Sequence, residues 1–147
     1  MARIDGEVVI DRPVEVVFDF VADERNEPAY NPGLSGVDKL TPGPLGAGTR
    51  FQAVSRARGR SMGMTIELTE FERPGRLSSL TRMEAMDVEG TLTFEPLGTG
   101  TRMRWVWDLH PRGVLRVAGP LIARIGRREE QAIWARLKAH LEAGEQP

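Results

Sequence analysis

The positions of apolar and polar residues change period along the chain, and the changes divide it into predicted elements. Residues 3–10 alternate apolar and polar side chains, as a half-buried strand does. The next apolar positions follow at helical spacing and predict a short amphipathic helix: Val14, Val17, Phe18 and Val21. We expect Asp11 to cap this helix, with Pro13 in its first turn. Residues 23–36 are rich in turn-forming residues and leave room for a second short helix.

Alternation returns after this region, and short turns separate six further predicted strands. Their ranges are 37–41, 49–58, 62–72, 76–83, 88–95 and 101–109. Short turns between successive strands indicate antiparallel neighbours. One face of these strands is apolar and the other is charged. Because an apolar sheet face must be buried, the pattern predicts a covering element.

A long helix over residues 119–144 is the element that can cover the sheet. Pro120 suits its first turn, Gly144 suits its end, and its length is about 36 Å at about 1.5 Å per residue. Its apolar stripe drifts around the axis between the two halves. We expect the half from Leu121 to Ile133 to close a cavity. The second half should pack on the opening strand and the short helices through Trp134, Leu137 and Leu141.

Composition narrows the class of protein. The 147 residues, 40% apolar and 28% charged, suit one soluble globular domain over residues 1–147. The sequence shows neither a membrane-spanning apolar run nor a signal peptide, so we expect a cytoplasmic protein without a transmembrane segment. A net charge of −1 argues against nucleic-acid binding. With no cysteine and two histidines that lack ligand spacing, we expect neither a metal site nor a cofactor.

Several turn and cap sequences follow one another in a characteristic order along nearly the whole chain. They are Asp11–Phe18 after the first strand, Tyr30–Gly33, Gly48–Phe51, Thr69–Leu77, Gly98–Arg102 and Leu137–Glu142. In this order they resemble the START and polyketide cyclase/dehydrase-like superfamily, also called the SRPBCC or helix-grip superfamily. The signatures are specific for a fold, but none of them is a catalytic motif.

The resemblance implies an α+β helix-grip fold. In this fold a curved seven-stranded antiparallel sheet wraps around a long C-terminal helix, with two short helices after strand 1. An apolar cavity is expected between the sheet and the long helix. Members of the superfamily bind lipids, sterols, polyketides or hormones, and some of them are cyclases or aromatases. The expected ligand of this chain is therefore a small hydrophobic molecule.

The predicted cavity walls supply the candidate ligand-binding residues. They are Phe51, Met64, Ile66, Leu68, Met83, Leu92, Phe94, Trp105, Trp107, Ile122, Ile125 and Glu129. Core packing is the alternative explanation for each aromatic residue and methionine in this set. An apolar wall that contains methionine, tryptophan and few polar groups fits a hydrophobic or aromatic ligand.

Glu129 is the expected polar group of the cavity. Burial would raise the pKa of its carboxyl, which suits general acid catalysis or a hydrogen bond to a ligand hydroxyl. Alternatively, Glu129 pairs with an arginine of the sheet or points to solvent. Tyr30 is the second candidate for a proton-transfer role.

Three functions remain open at this stage: a non-catalytic carrier or sensor, a cyclase/dehydrase-like enzyme, and an interaction protein with a vestigial cavity. A cavity above about 300 Å³ with at least two convergent polar groups would favour the enzyme. A dry cavity without such groups would favour the carrier, and a filled cavity would favour the interaction protein. Arg124, Arg127 and Arg128 form either a solvated surface or a contact for an acidic protein partner, and a homodimer is also open.

Overall fold

The computed structural model describes residues 2–57 and 59–144, so the predicted strand residue Arg58 lies outside the described residues. The helices are α1 (Val14–Ala22) and α2 (Gly119–Ala143), with a first 3-10 helix (Glu24–Ala29) and a second (Gly113–Ala118). The strands are β1 (Ala2–Ile10), β2 (Leu34–Lys39), β3 (Arg50–Ala57), β4 (Arg60–Glu72), β5 (Arg76–Arg82), β6 (Met86–Leu97) and β7 (Gly100–Pro111).

The seven strands form one antiparallel sheet in the order β1-β7-β6-β5-β4-β3-β2. Strands β2 to β7 pair in chain order, and β1 closes the other edge by pairing with β7, which places Ile4 opposite Trp107. The register shifts between Leu34 and Gly36 and between Leu68 and Glu70. Such bulges bend and twist a sheet. The arrangement confirms the predicted curved sheet and long C-terminal helix of the helix-grip fold.

The short elements after β1 differ from the prediction in their caps and type. Pro13 occupies the N-cap position of α1, and no side chain caps this helix. The backbone N–H of Asp11 instead donates a hydrogen bond of 2.8 Å to the Glu142 carboxylate, which ties this turn to the end of α2. The second short helix is a 3-10 helix, and the side chain of Asp23 accepts a hydrogen bond from the backbone N–H of Arg25 at its start. The second 3-10 helix, before α2, was not predicted.

The hydrophobic core fills one end of the concave face of the sheet. Strand residues, α1 and the second half of α2 all contribute side chains that are fully buried: Val17, Phe18, Phe51, Leu68, Met103, Trp105 and Leu137. The Phe18 ring packs edge-on against Phe71 and Phe94, each at a centroid distance of 5.2 Å. Because α1 occupies this end, the remaining concave face lies under the first half of α2.

The two halves of α2 have different environments. Leu137 is 0% exposed and Trp134 is 6% exposed, whereas Leu121 is 57% exposed. Gly126 lies where the helix approaches β1 and β7, because a Cβ at this position would come within 3.3 Å of Ile4 Cδ1 and 3.7 Å of Leu109 Cδ1. The second half therefore anchors the helix, and the first half covers the open part of the sheet.

Candidate ligand-binding cavity

A cavity of about 750 Å³ lies between the concave sheet face and α2. Its walls are mainly apolar. The sheet wall includes Ile4, Met64, Ile66, Leu77, Ser79, Thr81, Met83, Met86, Val88, Leu92, Trp107 and Leu109. The helix wall includes Ile122, Ile125, Gly126, Glu129, Glu130, Ile133 and Trp134, which recur at helical spacing.

Most of the predicted binding residues lie in these walls. The ones that line the cavity are Met64, Ile66, Met83, Leu92, Trp107, Ile122, Ile125 and Glu129, and Tyr30 joins them. The structure places the other predicted residues in the packed core: Phe51, Leu68, Phe94 and Trp105. They share the apolar face of the sheet, but α1 and the second half of α2 fill the space in front of them. Trp105, for example, lies 5.9 Å from Trp134 between ring centroids.

Glu130 is more buried than Glu129 on α2. Glu129 lines the cavity but is exposed. Glu130 is half-buried and accepts a hydrogen bond of 3.2 Å from the indole N–H of Trp107. Of the alternatives open for Glu129, the structure agrees with the exposed side chain, and the half-buried carboxyl of α2 lies one residue later.

Trp107 is placed for this hydrogen bond by a glycine on the neighbouring strand. Gly90 pairs with Trp107 in the register of β6 and β7. A Cβ on Gly90 would lie 2.6 Å from Trp107 Cε3 and 1.9 Å from the carbonyl oxygen of Val106. Since real Cβ atoms do not approach so closely, the glycine provides the space that the indole ring occupies.

Two further acids enter the cavity from the first 3-10 helix. Glu24 and Glu27 both line it, and their spacing of three residues places them on one side of such a helix. The Asn31 side-chain amide donates a hydrogen bond of 2.7 Å to Glu27 Oε2. Together with Glu130, these residues form what we call the carboxyl cluster: Glu24, Glu27 and Glu130.

The surroundings of the carboxyl cluster favour protonated forms. Burial raises the pKa of Glu130 to about 7, and repulsion by Glu27 adds to this, whereas the indoles of Trp107 and Trp134 oppose it. Glu130 interacts less strongly with Trp134 than with Trp107, because the buried indole nitrogen of Trp134 has no acceptor at hydrogen-bonding geometry. Burial, followed by the charge and hydrogen bond of Glu27, raises the pKa of Glu24 well above its ordinary value. Glu24 and Glu130 therefore hold protons near neutral pH.

Tyr30 lies beside the carboxyl cluster. Its side chain is 2% exposed, lines the cavity and packs between Phe20 and Trp134, at centroid distances of 6.0 and 5.7 Å. Burial, followed by the charges of Glu27 and Glu24, raises the pKa of its phenol well above the usual value. No residue in the described ranges hydrogen-bonds to the hydroxyl group, so this group is available to a ligand.

The sequence carries a signal for part of this site. Glu130 stands three, four and seven residues before Ile133, Trp134 and Leu137, so it belongs to the buried stripe of α2. Glu24 and Glu27 lie in a segment of turn-forming residues. Its sequence does not specify a 3-10 helix or the direction of its side chains.

Within the described ranges, 2–57 and 59–144, no group of three or more His, Asp or Glu residues is arranged to hold a metal ion. In the same part of the chain, no helix is long and apolar enough to cross a bilayer.

The sheet, the long helix and the cavity between them define a protein of the helix-grip fold. Residues 1–142 match the profile of one family in this class, described as polyketide cyclase / dehydrase and lipid transport. The chain belongs to this family. None of the curated protein sequences matches it.

Solved structures of the same fold come from several bacteria. A START superfamily protein from Mycobacterium smegmatis is 15% identical, with a TM-score of 0.83 over 97% of this chain and 99% of its own. A protein from Thermus thermophilus is 20% identical, with a TM-score of 0.82 over 98% and 99%. The Zhui aromatase/cyclase from Streptomyces sp. R1128 is 13% identical, with a TM-score of 0.80 over 95% and 93%. At these identities the similarity establishes the fold.

Proposed function

We propose that this protein binds a small hydrophobic or aromatic molecule, such as a lipid, a polyketide or a similar metabolite, in the cavity between the sheet and α2. The observation that supports this most strongly is the apolar cavity of about 750 Å³. Cavities that bind small molecules commonly measure about 300–1,000 Å³ and combine apolar walls with a few polar groups. The family description, which names both lipid transport and cyclase/dehydrase activity, agrees with such a ligand.

The walls of the cavity suit an apolar body with one polar end. Met64, Met83 and Met86 line the sheet side, and methionine adapts its shape to irregular ligands. Transfer of an apolar surface from water to these walls contributes about 25 cal/mol per Å². The polar end of the ligand would then lie at the carboxyl cluster and Tyr30, which are polar groups of the cavity wall.

A cyclase/dehydrase-like enzyme is the second candidate, and Glu130 is the observation in its favour. A carboxyl group with a pKa of about 7 can both donate and accept a proton near neutral pH. The cavity exceeds about 300 Å³ and contains several convergent polar groups, which favours the enzyme by the criterion given above. In such an enzyme Glu130, rather than Glu129, would transfer the proton, and Tyr30 would donate a hydrogen bond. An interaction protein with a filled cavity is disfavoured, because the cavity is open.

Binding is tested by fluorescence titration with pyrenebutanol, together with the melting temperature. We expect saturable binding and a rise in the melting temperature, since a ligand that binds only the folded state stabilises it. Ser79→Trp, which places a large side chain in the cavity, should weaken binding at least tenfold. Ser61→Trp is the matched control, because Ser61 is exposed and outside the cavity walls. Failure to bind any probe from a broad panel of lipids and aromatics would overturn the proposal.

The fate of the molecule that the protein retains in its own host distinguishes a carrier from an enzyme. Native mass spectrometry of the purified protein identifies this molecule, which is then added back in excess. A carrier returns it unchanged. An enzyme converts it or its precursor, and Glu130→Gln should slow that conversion without abolishing binding.

A further inference from the structure

We propose that the polar end of the ligand is an organic ammonium group, held by the carboxyl cluster and Tyr30. This inference rests on the proposed binding function and specifies its ligand class: an apolar or aromatic body that bears a primary or secondary amine.

The first observation is that three carboxyl groups from two separate elements converge on one part of the cavity. Glu24 and Glu27 come from the first 3-10 helix, and Glu130 comes from α2. Each of the other two acids contributes a repulsive charge at Glu24, and Glu27 does so at Glu130. The three carboxyl groups therefore face the same part of the cavity and repel one another there.

The second observation is that no arginine or lysine in the described residues compensates these charges. None of the ion pairs includes a member of the carboxyl cluster. Arg56, Arg128 and Arg136 line the cavity, but all three are exposed. None of these arginines is among the groups that shift the pKa of Glu24 or Glu130. Carboxylates that are partly withdrawn from water without a cationic partner carry a free-energy cost, and protons or a bound cation lower it.

The third observation is the hydroxyl group of Tyr30. Tyr30 is 2% exposed and lines the cavity beside the cluster. Its hydroxyl group has no hydrogen-bond partner within the described residues. The hydroxyl oxygen is not among the fully buried polar atoms that lack a partner in the described residues, so it is open to the cavity and can hydrogen-bond to a ligand there. The hydroxyl oxygen is an acceptor, as the carboxylates are, so a ligand with several N–H donors satisfies them together.

These observations favour an organic ammonium over other cations and other polar groups. The carboxyl groups lack the arrangement for a metal ion. A carboxylate or phosphate on the ligand would be repelled, and a hydroxyl group donates a single hydrogen bond. An ammonium group supplies positive charge and several donors, and hydrogen bonds between charged groups are the stronger ones.

Three fluorescent probes with the same apolar body test the inference: pyrenebutylamine, pyrenebutanol and pyrenebutyrate. At about pH 7.5 we expect the amine to bind at least tenfold more tightly than the alcohol, which corresponds to about 1.4 kcal/mol, and the acid to bind least tightly. Glu130→Gln should reduce the preference for the amine to about threefold or less. Its affinity for the alcohol should change little, because glutamine can still accept the Trp107 hydrogen bond. Glu72→Gln removes an exposed charge outside the cavity and should leave the preference unchanged.

Proton release provides a readout that does not depend on the variants. Calorimetry at about pH 6.5 in buffers of different ionisation enthalpy should show about one proton released on amine binding and none on alcohol binding. The ammonium would displace a proton that the carboxyl cluster holds. This measurement decides the question on the wild-type protein alone if Glu130→Gln does not fold.

The outcomes distinguish this inference from the proposed function. If none of the probes binds, the proposed binding function itself fails. If the alcohol or the acid binds as tightly as the amine, or amine binding releases no proton, binding stands and the ammonium inference is overturned. A preference that persists in both Glu130→Gln and the Glu24→Gln/Glu27→Gln double variant also overturns it.

Discussion

At the scale of single residues, Glu130 makes the stability of the protein depend on pH. Its pKa is raised from an ordinary value of 4.5 to about 7 in the folded protein, chiefly by burial. Between these values the folded state binds more protons than the unfolded chain, so stability falls as the pH rises through this range. For this group the fall is on the order of 2–3 kcal/mol, and the raised pKa of Glu24 adds to it in the same direction.

Glu130→Gln should therefore flatten the dependence of stability on pH. We expect the variant to gain stability relative to the wild type as the pH rises to about 8, by on the order of 2 kcal/mol. Urea unfolding across this range measures the difference. Glu72→Gln should retain the wild-type profile, and an equally steep profile in Glu130→Gln would show that Glu130 is not the group responsible.

The sequence identified the cavity walls more successfully than the polar groups within them. Alternation along a strand assigns a side chain to one face, which is why Met64, Ile66 and Trp107 were correctly placed on the concave side. On a helix, neighbouring residues differ by about 100° in direction. Which of Glu129 and Glu130 is the more buried therefore depends on how far the apolar stripe of α2 rotates around the helix axis. In the structure the stripe includes the side of Glu130.

At the scale of elements, the two halves of α2 should differ in their contributions to stability. Leu137 is 0% exposed within the core, whereas Leu121 is 57% exposed. Leu137→Ala should lower the free energy of unfolding by about 3 kcal/mol, because it leaves a void in the packed core. Leu121→Ala should change it by less than about 0.5 kcal/mol. Urea unfolding of the two variants tests this, and equal losses would mean that the first half of the helix is also anchored.

The elements were predictable where local signals determine them. Pro120 and Gly144 marked the ends of α2, which extends over Gly119–Ala143. Asp11 was the wrong cap because Pro13, two residues later, occupies the N-cap position of α1. The backbone N–H of Asp11 bonds instead to Glu142, a contact between residues 131 positions apart. The second 3-10 helix has no apolar positions that match burial, since Val114 and Val117 are 85% and 88% exposed. Its sequence therefore does not predict a helix. Tertiary contacts, rather than local sequence, decide these cases.

At the scale of the whole molecule, the fold followed from the sequence but the extent of the cavity did not. Seven alternating segments and one long amphipathic helix leave few ways to bury a one-sided sheet. The volume of the cavity depends instead on how closely α2 approaches the sheet at Gly126 and on how much of the concave face α1 fills. Phe51, Leu68, Phe94 and Trp105 became core residues for that reason.

The most direct test of the central claim is an NMR measurement that locates the bound ligand. Methionine methyl groups labelled with carbon-13 report on both the cavity and its surroundings: Met64, Met83 and Met86 line the cavity, Met103 is fully buried in the core, and Met62 is exposed outside it. On titration with pyrenebutylamine, the signals of the three cavity methionines should shift together and saturate at one molecule per chain. Those of Met62 and Met103 should change little. Shifts confined to Met62, or an unchanged spectrum at saturating probe, would contradict binding in the cavity.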